Sequence, residues 1–145
     1  MNLQNQKIDI CRDCDYSYSN IAGCNFNAVS AVDCDFSEIT VSGCNMISAQ
    51  LENVMLEDTT VENANMANSS YSDVSLSGLR MQNGDIQRGK FESTDMNRCT
   101  FKGCDLSGTV LENCNLEGLS ISSCQISGMS IDGIPVKELL EKYYG

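Results

Sequence analysis

A period of five residues governs this chain and excludes most folds before any motif is sought. Read from Cys14, the sequence divides without insertion into CDYSY, SNIAG, CNFNA, VSAVD, CDFSE, ITVSG and so on to CQISG and MSIDG, so that residues 14–133 make 24 repeats. The third place is apolar throughout, from Tyr16, Ile21, Phe26 and Ala31 to Leu116, Ile121, Ile126 and Ile131. The first place is mostly Cys, Ala, Ser, Thr, Val or Gly, the second is usually Asn, Asp, Ser or Thr, and the fourth is mostly polar. Neither a helical period nor strict alternation produces such a pattern, which argues against a helix bundle and an ordinary sandwich. Two inward residues flanking one outward residue describe a very short strand, and the remaining two residues make a corner.

The fifth place carries the corner chemistry. It is Gly at 23, 43, 78, 103, 108, 118, 128 and 133, Asn at 53, 63, 68, 83 and 113, and Asp at 33, 58 and 73. These residues tolerate the positive φ of a type II turn. On these repeats the chain resembles the pentapeptide-repeat family, whose loose consensus is A(D/N)LXX. Cys replaces Ala in CNF at 24, CDF at 34, CDL at 104 and CNL at 114. The resemblance covers nearly the whole chain and implies an all-β fold, a right-handed quadrilateral β-helix in which four repeats close one coil. About six coils follow, stacked at about 4.8 Å into a rod roughly 29 Å long.

A twenty-residue coil predicts vertical ladders inside the rod. One stacks Tyr16, Phe36, Leu56, Leu76, Met96 and Leu116, and the next stacks Ile21, Val41, Val61, Met81, Phe101 and Ile121. Each such side chain contributes about 1.5 to 3 kcal/mol when buried, so only the stacked array offsets the ordering cost. Single repeats are not expected to fold alone. Gly84 and Gly89 hold successive first places, where loss of Cβ is expected to loosen or narrow the coil.

The expected organisation is an N-terminal cap over 1–13, the solenoid over 14–133 and a C-terminal capping helix over 134–145. After Gly133 the period breaks at IPVKELLEKYYG. Pro135 suits a helix start, and Val136, Leu139, Leu140 and Tyr143 recur at helical spacing. Together with Tyr144 they are candidates for covering the last coil or for meeting a second copy, so the expected state is a monomer or a homodimer through this helix.

Formal net charge is -11 and the pI is about 4.2. Most of the surface then repels phosphates, which argues against direct nucleic acid binding and for an unknown protein partner of basic character. The start MNLQNQKIDICRDC lacks a secretory pattern and no apolar run approaches a membrane span, so the expectation is a cytoplasmic protein without a membrane partner. Cys11 and Cys14 form a CxxC, but with no His and no second CxxC neither zinc nor redox chemistry is favoured and no cofactor is expected. Cys14 and Cys34, Cys24 and Cys44, and Cys104 and Cys124 lie twenty apart. Parallel inward vectors hold such Cβ atoms about 4.8 Å apart, beyond the usual disulfide span of about 3.5 to 4.5 Å, so they read as buried free thiols.

Glu52, Glu92, Glu112 and Asp132 share the fourth place on one face. On a flat wall without a pocket they read as a solvated acidic stripe rather than an acid–base pair. Five of the nine basic residues, Arg80, Arg88, Lys90, Arg98 and Lys102, fall within 23 residues and form a belt around coils four and five, as charge balance or as a contact belt. No triad can be built without His. The expected function is therefore non-enzymatic, a protein-protein interaction scaffold of unknown specific function. The resemblance offers an alternative, because some members of the family bind DNA gyrase and topoisomerase IV as DNA-mimicking rods and confer quinolone resistance. The charge and the acidic stripe fit that alternative, although the unbroken repeat lacks the protruding loops that many such members carry.

Overall fold

A computed structural model of the chain describes residues 2–4, 8 and 10–145. The five-residue period winds it into a four-walled β-solenoid of about six coils. We number the walls by their inward columns: wall 1 carries Tyr16 to Leu116, wall 2 Ile21 to Ile121, wall 3 Phe26 to Ile126 and wall 4 Ala31 to Ile131. Wall 2 is a seven-stranded sheet and wall 4 an eight-stranded one. Their three-residue strands pair in parallel at an offset of twenty, for example Ile21 with Val41 and Leu51 with Tyr71. Walls 1 and 3 are tied by single parallel bridges, such as Asp15 with Asp35 and Asn25 with Asn45.

That alternation of walls has a chemical cause. On walls 1 and 3 the second place is usually Asp or Asn, whose side chain accepts the backbone N–H two residues on: Asn25 from Asn27 at 2.8 Å, Asp35 from Ser37 at 2.8 Å, Asp95 from Asn97 at 2.9 Å. Such Asx turns compete with an extended ladder and curl the chain into the next corner. On walls 2 and 4 the same place holds residues such as Thr40, Thr60, Ser70 and Thr100, and the strand runs its full three residues.

At every fifth residue from Asp13 to Gly133 the backbone is left-handed, with φ between 51 and 80°. The set includes Tyr18, Ala28, Glu38, Arg88 and Arg98, which ordinarily avoid this region. They hold it because the coil above and below fixes the corner through backbone bonds, as in Glu38 N–H to Glu57 O at 2.8 Å and Arg98 N–H to Glu117 O at 2.8 Å.

The interior is one apolar column from Leu3 to Met129. Tyr71 and Phe91 stack at 4.3 Å between ring centres, and Tyr16 and Phe36 at 5.1 Å. Gly84 does not loosen its coil, because the thioether of Met81 occupies the space a Cβ would need; Gly89 likewise makes room for Ile86 and Phe91. The ladders behave as the period requires through the middle of the rod, whereas in the last coil Leu116 and Ile126 are half-buried and Ile121 is 36% exposed, since no further coil lies above them.

Toward the N-terminus, strand Asn2–Gln4 pairs with Asn20–Ala22 at an offset of eighteen, and Ile10–Arg12 joins wall 4 at twenty. Residues 1, 5–7 and 9 of the cap expected over 1–13 lie outside the described residues. At the other end Ile134–Pro135 turns back antiparallel against Ser130–Ile131 and leads into one helix, Val136–Tyr144. Pro135 is the residue before this helix, not its first turn, with φ −59° and ψ 130°.

The hydroxyl of Tyr71 is buried without a hydrogen-bond partner. Ser69 lies close, but its Oγ already donates to Met46 O at 2.7 Å and accepts from Ala49 N–H at 3.1 Å. Tyr71→Phe should therefore raise stability by about 1 to 2 kcal/mol in urea unfolding, whereas Phe91→Ala, its stacking partner, should lower it by about 3 to 5 kcal/mol.

Candidate functional site

The rod carries its chemistry on its walls, and the walls distribute the charges unevenly. Of the expected acidic stripe, Glu52, Glu92 and Glu112 are exposed on wall 4, with Ser72 between the first two. Asp132 departs from the column: its carboxylate accepts Asn113 N–H at 2.8 Å and closes the last corner. Wall 4 is also less flat than the period suggests. Glu52, Lys90 and Glu92 border a shallow depression floored by Leu51 and Tyr71 and flanked by Ser30, Gln50, Ser70 and Ser72.

The basic residues encircle the rod instead of sharing a face. Arg80 and Lys102 stand on wall 2, Arg98 on the corner between walls 1 and 2, Arg88 on the corner between walls 3 and 4, and Lys90 on wall 4. Arg88 Nε donates to Asn68 Oδ1 at 2.7 Å, and Arg80 Nη2 to Thr60 Oγ1 at 3.2 Å. In the terminal helix Val136 packs against the core, whereas Leu139 and Leu140 are about two-fifths exposed and Tyr143 and Tyr144 about four-fifths.

A denser acidic surface lies elsewhere. Between Arg12 and Arg80 there is no Lys or Arg, and residues 13–79 carry ten carboxylates. Eight of them, Asp13, Asp15, Asp33, Asp35, Glu38, Glu57, Asp58 and Asp73, fall on wall 1 or its two corners. Wall 3 of the same coils is uncharged and lined by Asn25, Asn27, Asn45 and Asn65. The fourth-place stripe missed this wall because its acids come from second, fourth and fifth places; the signal available was the long gap in basic residues.

Cysteines are placed by hydrogen bonding. Most corners that leave walls 1 and 3 close their own turn, as in Val29 N–H to Phe26 O at 3.0 Å and Leu79 N–H to Leu76 O at 2.8 Å. Corners that leave walls 2 and 4 do not, and seven of the nine cysteines stand there, at 14, 24, 34, 44, 104, 114 and 124. Cys44 of the next coil accepts Cys24 N–H at 3.3 Å and points its thiol at Ile21 O, spanning the two groups an ordinary turn would join. Cys124 does the same between Cys104 N–H, at 3.3 Å, and Phe101 O, at 3.4 Å.

All nine thiols are free, and Cys11, Cys24, Cys34, Cys44, Cys99 and Cys104 are buried. Burial pushes the Cys99 thiol up to about 12. Cys11 rises to about 11 through burial and then through its neighbours Cys14 and Cys34. Burial likewise raises Cys34, Cys44, Cys104 and Cys114. The CxxC places Cys11 in the core column of wall 4 and Cys14 half-buried beyond the corner. Among the described residues no group of three His, Cys, Asp or Glu side chains is placed to hold a metal ion.

A family model described as pentapeptide repeats (8 copies) matches residues 94–128. No curated protein matches the sequence. Among solved structures, the chain is similar to a pentapeptide repeat protein from the Arabidopsis thaliana thylakoid lumen, at 16% identity and TM-score 0.52, over 77% of this chain and 68% of that one. It is also similar to the pentapeptide repeat protein Rfr23 from the cyanobacterium Cyanothece 51142, at 15% identity and TM-score 0.47, over 91% and 84%. A third is trypsin-treated QnrB1 (R167E), a plasmid-mediated fluoroquinolone resistance protein, at 13% identity and TM-score 0.36, over 97% of each chain. At these identities the likeness concerns the fold. No helix among the described residues is long and apolar enough to cross a membrane.

Thiol titration at neutral pH should label Cys14, Cys114 and Cys124 first and reach the six buried cysteines only on unfolding; rapid labelling of all nine in the folded protein would contradict the burial described. For a thiol whose folded pKa exceeds its unfolded value, the stabilisation is complete below the unfolded pKa and is lost as pH rises through the folded one. Between the ordinary thiol value of 9.0 and about 11 to 12, Cys11 and Cys99 should thus make the rod progressively easier to unfold by urea, and Cys99→Ala should flatten that decline.

Proposed function

We propose that this chain, whose residues 94–128 match the pentapeptide-repeat model and whose fold is that of pentapeptide-repeat proteins, is a non-enzymatic interaction rod whose acidic wall 1 receives a basic protein surface. The observation that carries the reading is the run of ten carboxylates without one basic residue over 13–79, most of them gathered on wall 1 by the twenty-residue coil. The coil fixes their backbones, so little ordering is lost when a partner docks, and long-range attraction accelerates encounter. Free, buried thiols accord with a reducing compartment such as the cytoplasm.

A second reading rests on charge density. Residues 14–73 carry nine carboxylates. Their three coils rise about 14 Å, so the rod bears one negative charge per about 1.6 Å of axis. Duplex DNA carries one per about 1.7 Å. A rod of that density fits a groove built for DNA, including that of a DNA gyrase or topoisomerase IV.

Both readings draw most of their charge from wall 1 and both require binding to be salt-sensitive. The variant Asp35→Asn/Glu57→Gln/Asp58→Asn should lose at least about tenfold in affinity for any basic partner, while Asn45→Ala on wall 3 should change it little. Equal binding by both variants would remove the wall 1 reading. Supercoiling assays with gyrase, with and without a fluoroquinolone, address the narrower alternative: inhibition or protection supports it, and the absence of both eliminates it.

A further inference from the structure

Wall 2 carries a column of charge that a second copy of the same wall would complement. Its fourth-place column reads Glu62, Gln82 and Lys102 on successive coils, in direct register. The adjoining corner column reads Asp58, Gly78 and Arg98. By backbone position each column is acidic one coil below the coil of residues 74–93 and basic one coil above it, with an uncharged residue between. The charged side chains are exposed, and none of the four has an ion-pair partner among the described residues.

From this we infer that the chain associates with a second copy of itself, antiparallel and wall 2 to wall 2, about a two-fold axis level with Gly78 and Gln82. Such an axis, lying in the interface along the strand direction, reverses height and keeps each column opposite itself. Glu62 then faces Lys102 of the second copy, and the pair occurs twice because the contact is isologous. At the corner the Asp58 carboxylate rises over Gly78 into the space a Cβ there would take, so it stands near the axis and not one coil below it. Arg80 lies on the axis, but its guanidinium donates to Thr60 Oγ1 at 3.2 Å and leans toward its own lower coil, which carries it away from its symmetry mate.

The magnitude follows from the wall. Four coils rise about 19 Å and a three-residue strand with its corner spans about 10 to 15 Å, so a few hundred Å² are covered per copy, against about 800 Å² in a standard interface. A weak, reversible pair held by exposed charges is the result, and salt should disperse it. The inference stands independently of the proposed function, since Glu62 and Lys102 belong to wall 2 alone and no other partner is required.

Sedimentation equilibrium of the full chain at about 0.02 M and about 0.5 M salt tests it, because the screening length shrinks severalfold over that range. The expected result is a dimer at low salt whose dissociation constant rises at least about tenfold at high salt. Glu62→Lys and Lys102→Glu, each placing like charges opposite one another twice, should weaken the dimer by at least about tenfold, and the double variant should return to within about threefold of the parent. Circular dichroism melts of these surface variants should match the parent, which separates lost association from lost folding. A monomer at every concentration at low salt, a double variant as weak as the single ones, or a dimer indifferent to these charges and abolished by Leu139→Asp would each overturn the inference. The last outcome would place the contact at the terminal helix.

Discussion

Every part of this rod depends on the backbone bonds that run from one coil to the next at an offset near twenty residues. Individually each corner is unfavourable, since a left-handed residue occurs at every fifth place and several of them are Tyr, Ala, Glu, Ser or Arg. The corner persists because its N–H and C=O groups meet those of the neighbouring coil, as Tyr18 N–H meets Ser37 O at 3.0 Å and Ser48 N–H meets Ala67 O at 2.9 Å. Local strain and long-range pairing therefore balance coil by coil, which makes the stack and not the repeat the stable unit.

The side chains of the first place complete that arrangement. At the corners before Cys24 and Cys104, which lack their own turn bond, a thiol from the coil above reaches down to the N–H and C=O the turn leaves unjoined. Hydroxyls serve elsewhere in the same way: Ser69 bridges Ala49 N–H and Met46 O, and Thr59 donates to Phe36 O at 3.2 Å. The protein is thus rich in cysteine without a disulfide framework. A small donor that is content in an apolar interior suits the first place, and cysteine is both. The same burial that allows it also holds these thiols protonated.

With packing confined to first and third places, the outward residues are free to be arranged by column. Aspartates at second places on walls 1 and 3 bind the backbone of their own corner, so Asp85, Asp95 and Asp105 serve the fold before they serve any surface. On wall 1 Asp15 and Asp35 do the same and still add to the acidic surface, which the fourth and fifth places complete. There the coil converts residues twenty apart in the chain into neighbours, and charge segregated along the sequence becomes charge segregated along the rod, acidic on wall 1 of the lower coils and mixed in sign on wall 2.

The chain alone determined the period, the inward columns, the number of coils and the chemistry of the corners, because each of these follows from a local rule repeated 24 times: an apolar third place must turn inward, and Gly, Asn or Asp at the fifth marks a left-handed turn. Even the difference between walls was legible, as the alternation of Asn25 and Asp35 with Ser30 and Thr40, although it becomes meaningful only once the Asx bonds are seen. What the tertiary structure decided were relations across coils and at the ends. That Met81 fills the space beside Gly84, that Cys44 closes the corner of Cys24, that Asp132 binds Asn113, and that the terminal helix buries none of its residues all depend on groups distant in sequence. A five-residue rule says which way a side chain points, but what it meets there is set by the coil above or below, and at the ends of the rod by the lack of one.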